Sequence, residues 1–277
     1  MTALRAPIPA RAPWLTAVLN ARAAQPASRR WRSRPVAVVV DGTSSGPAAA
    51  AFLSLHRQGP VTVISMLGAA AAPLPIGRPT ARLLAADPAA ARLLADGILD
   101  LLTSQRRPWS LRLSGLPLGC PTTAALAARV ETAAFSSART TRLVDALDAA
   151  VGPVHRSRNP RDLDRALPDL LERLPDDRSR AFLRTTARVH AAIGQVELAW
   201  AGDLRSPGAA LLTLVDGNDR WPWWGFCPDG GVPTEMGAPL VSLTATGGPR
   251  PRLELPWTSV PRRPWGHRGE RVRGGAG

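Results

Sequence analysis

The feature that most limits how this chain can fold is an internal repeat. Ser45-Gly46-Pro47-Ala48-Ala49, leading into Phe52-Leu53-Ser54-Leu55, returns 161 residues later (206 against 45) as Ser206-Pro207-Gly208-Ala209-Ala210, leading into Leu211-Leu212-Thr213-Leu214. Each copy follows an apolar run that stops at a polar turn, Val36 to Gly42 in one case and Val196 to Asp203 in the other. Each is followed by a further run ending near Gly68 or Gly225. Similar patterns at a fixed spacing predict similar supersecondary units. The reading is therefore an α/β (α+β) chain of two tandem halves, each a mixed sheet flanked by helices, with the boundary between about residues 150 and 160.

The elements around the repeat can be read from periodicity. The continuous apolar runs Val36 to Val40, Ala48 to Leu55 and Val61 to Leu67 predict three strands in meander order. From Thr80 to Ser104 leucines recur at helical spacing, and Asp87-Pro88 predicts a split into two helices with Asp87 as the second N-cap. Trp109 to Leu113 alternates as a strand, Pro121 to Arg129 reads as a helix, and Thr140 to Leu143 as a weaker strand. In the second half Asp162 to Leu174 is strongly amphipathic, and a second helix over Ser179 to Ile193 ends at Gly194. Strands follow at Val196 to Trp200, Ala209 to Val215 and Trp221 to Phe226, then a short helix at about Met236 to Thr244 and a last strand at Arg252 to Leu255. An earlier short helix spans Trp14 to Ala24.

With 277 residues, 45% of them hydrophobic, the chain can bury two moderate cores. The divisions read as a flexible arm at 1–13, halves at 14–155 and 156–260, and a basic disordered tail at 261–277. The net charge of +14 invites a nucleic-acid reading, but its distribution argues otherwise. Residues 1–34 hold seven Arg and no acid, and residues 261–277 hold five Arg against Glu270, leaving +3 for the 226 residues between. There is no lysine and no tyrosine. Cys120 and Cys227 are far apart with no ligand-like neighbours, which predicts neither a disulfide framework nor a metal site and fits a reducing cytoplasm. No apolar run reaches the roughly 18 residues of a membrane span.

The chain resembles the GNAT-type acyltransferases of the CelD-like kind, named after a proposed role in cellulose biosynthesis, which carry two GNAT-like halves. The resemblance covers roughly residues 14–257. It rests on Arg161-Asp162-Leu163-Asp164, Gly194-Gln195-Val196-Glu197-Leu198-Ala199-Trp200, Ala209 to Leu214 and Trp221-Pro222-Trp223-Trp224-Gly225. It implies transfer of an acyl group from acetyl-CoA or another acyl-CoA to an amine, on a small molecule or cell-envelope precursor, without a metal. Two alternatives stand beside it. One is a FemABX-like transferase using aminoacyl-tRNA, the only reading in which nucleic acid is a partner. The other is a non-catalytic interaction module of the same fold, consistent with the missing tyrosines and lysines and with Trp221 to Phe226 standing where the family has a Tyr-rich strand.

Candidate site residues follow from that chemistry. Backbone N–H groups at the start of a helix can hold pyrophosphate, which points to Gly237 and Ala238 behind Gly230-Gly231. Glu197, the lone acid in its strand, is the candidate base; the same alternation could instead point it at solvent. His190 reads as a surface or half-buried helix residue, and Glu235 as a partner for the helix dipole. Trp221, Trp223 and Trp224 can line an acyl groove or pack a core, with Trp224 the groove candidate. Gly42-Thr43-Ser44-Ser45-Gly46 spells a nucleophile-elbow pattern, but only one strand precedes it and no helix follows, so it reads as a hairpin turn.

Overall fold

A computed structural model describes residues 4, 6–24, 33–42, 46–81, 83–228 and 231–248. The α/β class holds. Ser44, Gly230 and the strand expected at Arg252 to Leu255 lie outside the described residues.

The first sheet is organised by alternation in β2 (Pro47–Gln58), whose Ala49, Ala51, Leu53 and Leu55 are buried on one face while Phe52, Ser54 and His56 turn to the other. β1 (Ser33–Asp41) and β3 (Val61–Met66) flank it antiparallel, as the apolar runs predict. β3 then pairs parallel with β5 (Trp109–Pro117), and with β6 (Ala134–Ala138) and β13 (Leu240–Gly247) the order runs β1-β2-β3-β5-β13-β6, the two-residue β4 (Leu84–Ala85) being attached to β2. The buried face is covered by α2 (Pro88–Thr103) and α3 (Pro121–Ala127). Asp87 caps α2 by accepting the Ala90 N–H at 2.8 Å. α2 comes so close to β1 that a Cβ on Gly97 would sit 2.8 Å from a Val38 methyl. Leu53, Ile64, Leu94, Ile98, Leu102, Leu111 and Leu113 have no solvent exposure, each contributing roughly 1.5–3 kcal/mol by burial.

Two expectations in this region fail. The described residues 80, 81 and 83–86 form no helix: Leu84 and Ala85 pair with Ala50 and Ala49 of β2, whose edge offers them backbone partners. β6 (Ala134–Ala138) has no counterpart in the sequence reading, since all five residues are exposed and leave no apolar period to detect.

The second sheet is antiparallel throughout, in the order β11-β10-β9-β8, from β8 (His155–Ser157), β9 (Val196–Asp203), β10 (Ser206–Asp216) and β11 (Asp219–Phe226). The helix α4 (Leu147–Val151) lies beside β9 and β10, and α5 (Pro160–Glu172) and α6 (Asp177–Ala192) cover one face. Asn159 and Asp176 cap α5 and α6. The two copies of the repeat occupy equivalent strands. Each is the middle strand of an antiparallel meander, β1-β2-β3 or β9-β10-β11, and each first hairpin carries a register irregularity beside its turn.

Elements from both ends of the chain cross the expected division near residue 155. α1 (Ala12–Ala23) packs on α6, where Trp14 meets Phe182 and Trp223 edge-on at 5.5 and 5.3 Å. β13 (Leu240–Gly247) is inserted between β5 and β6, adding Val241, Leu243 and Ala245 to the first core. The short helix expected at 236–244 is therefore this strand together with β12 (Thr234–Met236), which pairs with β7 (Thr141–Leu143). Val241, Leu243 and Ala245 alternate, and the edge of β5 satisfies their backbone. The arm expected at 1–13 is also packed in part. Ile8 and Pro9 are buried in a short 3-10 turn, Ile8–Ala10, and Arg11 pairs with Asp216.

Candidate functional site

Glu197 does not face solvent. It is 8% exposed on β9, on the side of the second sheet where Leu147, Ala199 and Leu211 form a small apolar cluster. Its carboxylate meets three guanidinium groups: Arg156 of β8 at 3.3 Å, Arg158 at 3.3 Å, and Arg220 of β11, whose Nη1 lies 3.3 Å from Oε2. Arg156 and Arg220 also bind Asp145, the former at 2.8 Å. Burial alone would raise the Glu197 pKa; the hydrogen bonds and charge of Arg220, followed by those of Arg156 and Arg158, reverse this and hold it below the usual carboxylate range. A carboxylate so strongly stabilised in its ionised form is a poor proton acceptor at neutral pH. Its arrangement is that of a staple joining β8, β9, β11 and the loop at Asp145.

The other sequence candidates are dispersed. No helix begins at Gly237: its N–H donates to the Thr140 carbonyl and that of Ala238 to the Gly77 carbonyl, both at 2.8 Å. A side chain at 237 would collide with the Gly77 backbone at 2.6 Å, so glycine is required there by close packing. Trp221 and Trp223 are buried in the second core, where the Trp223 indole donates to the Pro73 carbonyl at 2.8 Å. Trp224 is half-buried at the border of that core, 6.1 Å from Phe226. His190 is fully buried; its Nδ1 lies 3.1 Å from the Gln195 amide oxygen, and burial lowers its pKa. Glu235 is on β12, paired with Arg142 across the β7–β12 ribbon. Among the described residues no three His, Cys, Asp or Glu side chains gather as a metal site would require, and no helix is long and apolar enough to cross a membrane.

The residues best arranged to hold a ligand were not among those candidates. Where α1, the outer face of β1–β3 and α6 converge, a cleft of about 340 Å³ opens. Ser33, Ser54, His56 and Ser65 come from the sheet, the hydroxyls of Ser33 and Ser54 lying 2.8 Å apart. Arg22, Arg57 and Arg178 line it from three different elements. An apolar side is supplied by Val18, Ala21, Met66 and Phe182. Burial, then the nearby charge of Arg112, lower the pKa of His56, so its imidazole is neutral at neutral pH. A larger cleft of about 670 Å³, between the segment that ends at Arg11, Arg78-Pro79 and the β10–β11 turn, holds two ion pairs: Arg11 with Asp216 at 2.8 Å and Arg78 with Asp219 at 2.8 Å. One signal for the first cleft was legible: Ser54 and His56 alternate with core leucines in β2, and Ser65 does so in β3, which marks a polar second face.

Fold and site together define an α/β protein with a basic, partly apolar cleft where the first sheet meets α1 and α6. No protein-family model matches the chain, and no curated protein matches it either.

Proposed function

We propose that the protein binds a phosphate-bearing small molecule in the cleft between α1, β1–β3 and α6, and that this molecule is an acyl-CoA used for N-acylation of an amine. The observation that carries the reading is the lining itself: arginines on α1, β2 and α6, serine hydroxyls that can donate to phosphate oxygens, and an apolar side for an acyl or pantetheine chain. His56 supplies the remaining group. Direct attack on a thioester needs a neutral amine, and an imidazole that is unprotonated at pH 7 can accept the ammonium proton as the acyl carbon–nitrogen bond forms and the coenzyme thiolate leaves. Glu197, held as an ion-paired carboxylate, has no part in that step.

The test is release of free coenzyme A thiol from acetyl-CoA in the presence of a panel of amines. The full chain should turn over, and His56→Gln should lower kcat by roughly 10²–10⁴-fold with binding retained. Binding without turnover for every amine favours a second reading, a non-catalytic module that retains the cleft. The occupied state of Glu197 is the observation that supports that alternative.

A further inference from the structure

We propose that the acyl chain of the donor lies in an apolar hollow beneath the start of α1, and that this hollow selects short chains; the inference rests on the reading of the neighbouring cleft as the site of an acyl-CoA. The hollow measures about 60 Å³ and lies between the first turn of α1, the outer face of the first sheet and the loop that precedes β4. Trp14 and Leu15 of α1, Phe52 of β2 and Leu74 of the loop give it apolar walls, and among the described residues Thr80 and Ser114 bring hydroxyl groups to its lining.

The position of the hollow points to its occupant. It shares the turn Met66 to Ala69 with the cleft that Arg22, Arg57 and Arg178 line, so one surface runs beneath α1 from the guanidinium groups to the apolar walls. Leu15 lines the hollow and Arg22 the cleft; on an α-helix their Cα atoms are about two turns apart on the same side, about 10 Å along the axis. Between them α1 rests on Gly68, where a Cβ would lie 3.1 Å from a Val18 methyl, and where the φ of +86° favours glycine. The turn therefore presents no side chain to the helix at the point where the two hollows meet. A molecule with phosphates at one end and a short apolar group at the other matches this two-part site.

Volume sets the length of that group. A single water needs about 10–15 Å³ of such space, so the hollow takes about four to six heavy atoms, the size of a butanoyl group. The methylenes of a longer chain would press against the Thr80 and Ser114 hydroxyls, which would lose water without gaining a hydrogen bond.

Calorimetric titration of the full chain with coenzyme A, acetyl-CoA, butanoyl-CoA and octanoyl-CoA tests this. Affinity should rise roughly fourfold for each methylene between acetyl and butanoyl and rise no further at octanoyl. Leu15→Phe, at a half-buried position, fills the hollow and should remove that rise while coenzyme A itself binds as it does to the wild type. Phe52→Ala enlarges the hollow and should move the best chain beyond butanoyl. Retained coenzyme A binding shows in each variant that the fold is intact. Coenzyme A binding with no dependence on chain length overturns the acyl site and leaves the phosphate cleft standing, as does a rise that Leu15→Phe leaves in place. If none of the four ligands binds, the acyl site and the reading of the cleft fall together.

Discussion

Replacing Trp14 by alanine should unfold the second core in preference to the first, although Trp14 lies 182 residues before the start of β9 (196 against 14). Trp14 is 2% exposed, stands edge-on to Phe182 and Trp223, and lies 5.9 Å from the His190 ring. Truncating a buried tryptophan costs about 3–5 kcal/mol, and each aromatic pair accounts for about 0.5–1.5 kcal/mol of that. The cavity cannot close easily, because Trp223 is fixed by its strand and by the Pro73 carbonyl, so the loss should fall in the upper half of the range. For a chain of this size that is a fall in Tm of about 2 °C for each kcal/mol. Urea unfolding followed by far-UV circular dichroism gives the magnitude, and amide exchange gives the location: β9, β10 and β11 should lose protection and β2 should not. Leu19→Ala on the same helix, 38% exposed, is the control and should cost about 0.5 kcal/mol or less. A loss below about 1 kcal/mol for Trp14→Ala, or deprotection confined to the first sheet, would refute the assignment of α1 to the second core.

Other outcomes follow from the same geometry. His190 and His56 both have folded pKa values depressed by burial, so the unfolded chain binds more protons below its own value of about 6.5; stability should be intact above that pH and fall as pH drops through 6.5, with a shallower fall in His190→Leu. Glu197→Ala leaves three arginines facing one another and should cost about 1–3 kcal/mol, a range reduced from that of a fully buried pair because the arginines are one-third to one-half exposed; Glu197→Gln should retain any acyl transfer, which a catalytic role would not allow. Gly237→Val should destabilise the fold, read as a lower urea midpoint, because its side chain has no room beside Gly77 and Thr140.

The parts of the fold that were legible are those in which burial imposes a period. The meanders, α2 from its Asp87 cap, and the α5–α6 pair all follow from leucine spacing and capping chemistry. What misled was context. Leu240 to Gly247 carries no strong propensity, and it becomes a strand because the edge of β5 is open to it, a partner more than a hundred residues earlier. Trp14 reads as a helix residue in any analysis, yet nothing local says that its helix covers the second core. The cleft was hidden for a related reason. Glu197 stands out in the sequence as the lone acid of its strand, but its setting depends on Arg156, Arg158 and Arg220, which reach it from neighbouring strands and a loop. The cleft needs residues from three parts of the chain, and only the alternating serines and His56 in β2 and β3 announce one of its sides.

Calorimetric titration with acetyl-CoA, of the full chain and of an Arg57→Glu/Arg178→Glu variant of unchanged thermal stability, decides whether the cleft holds a phosphate-bearing acyl donor. The wild type should bind with an affinity that weakens as salt rises, and reversing the two charges should lower that affinity at least tenfold, since each charge-assisted phosphate contact contributes about 1.5–3 kcal/mol. No measurable binding at millimolar ligand, or equal affinity in the reversed variant, would contradict it.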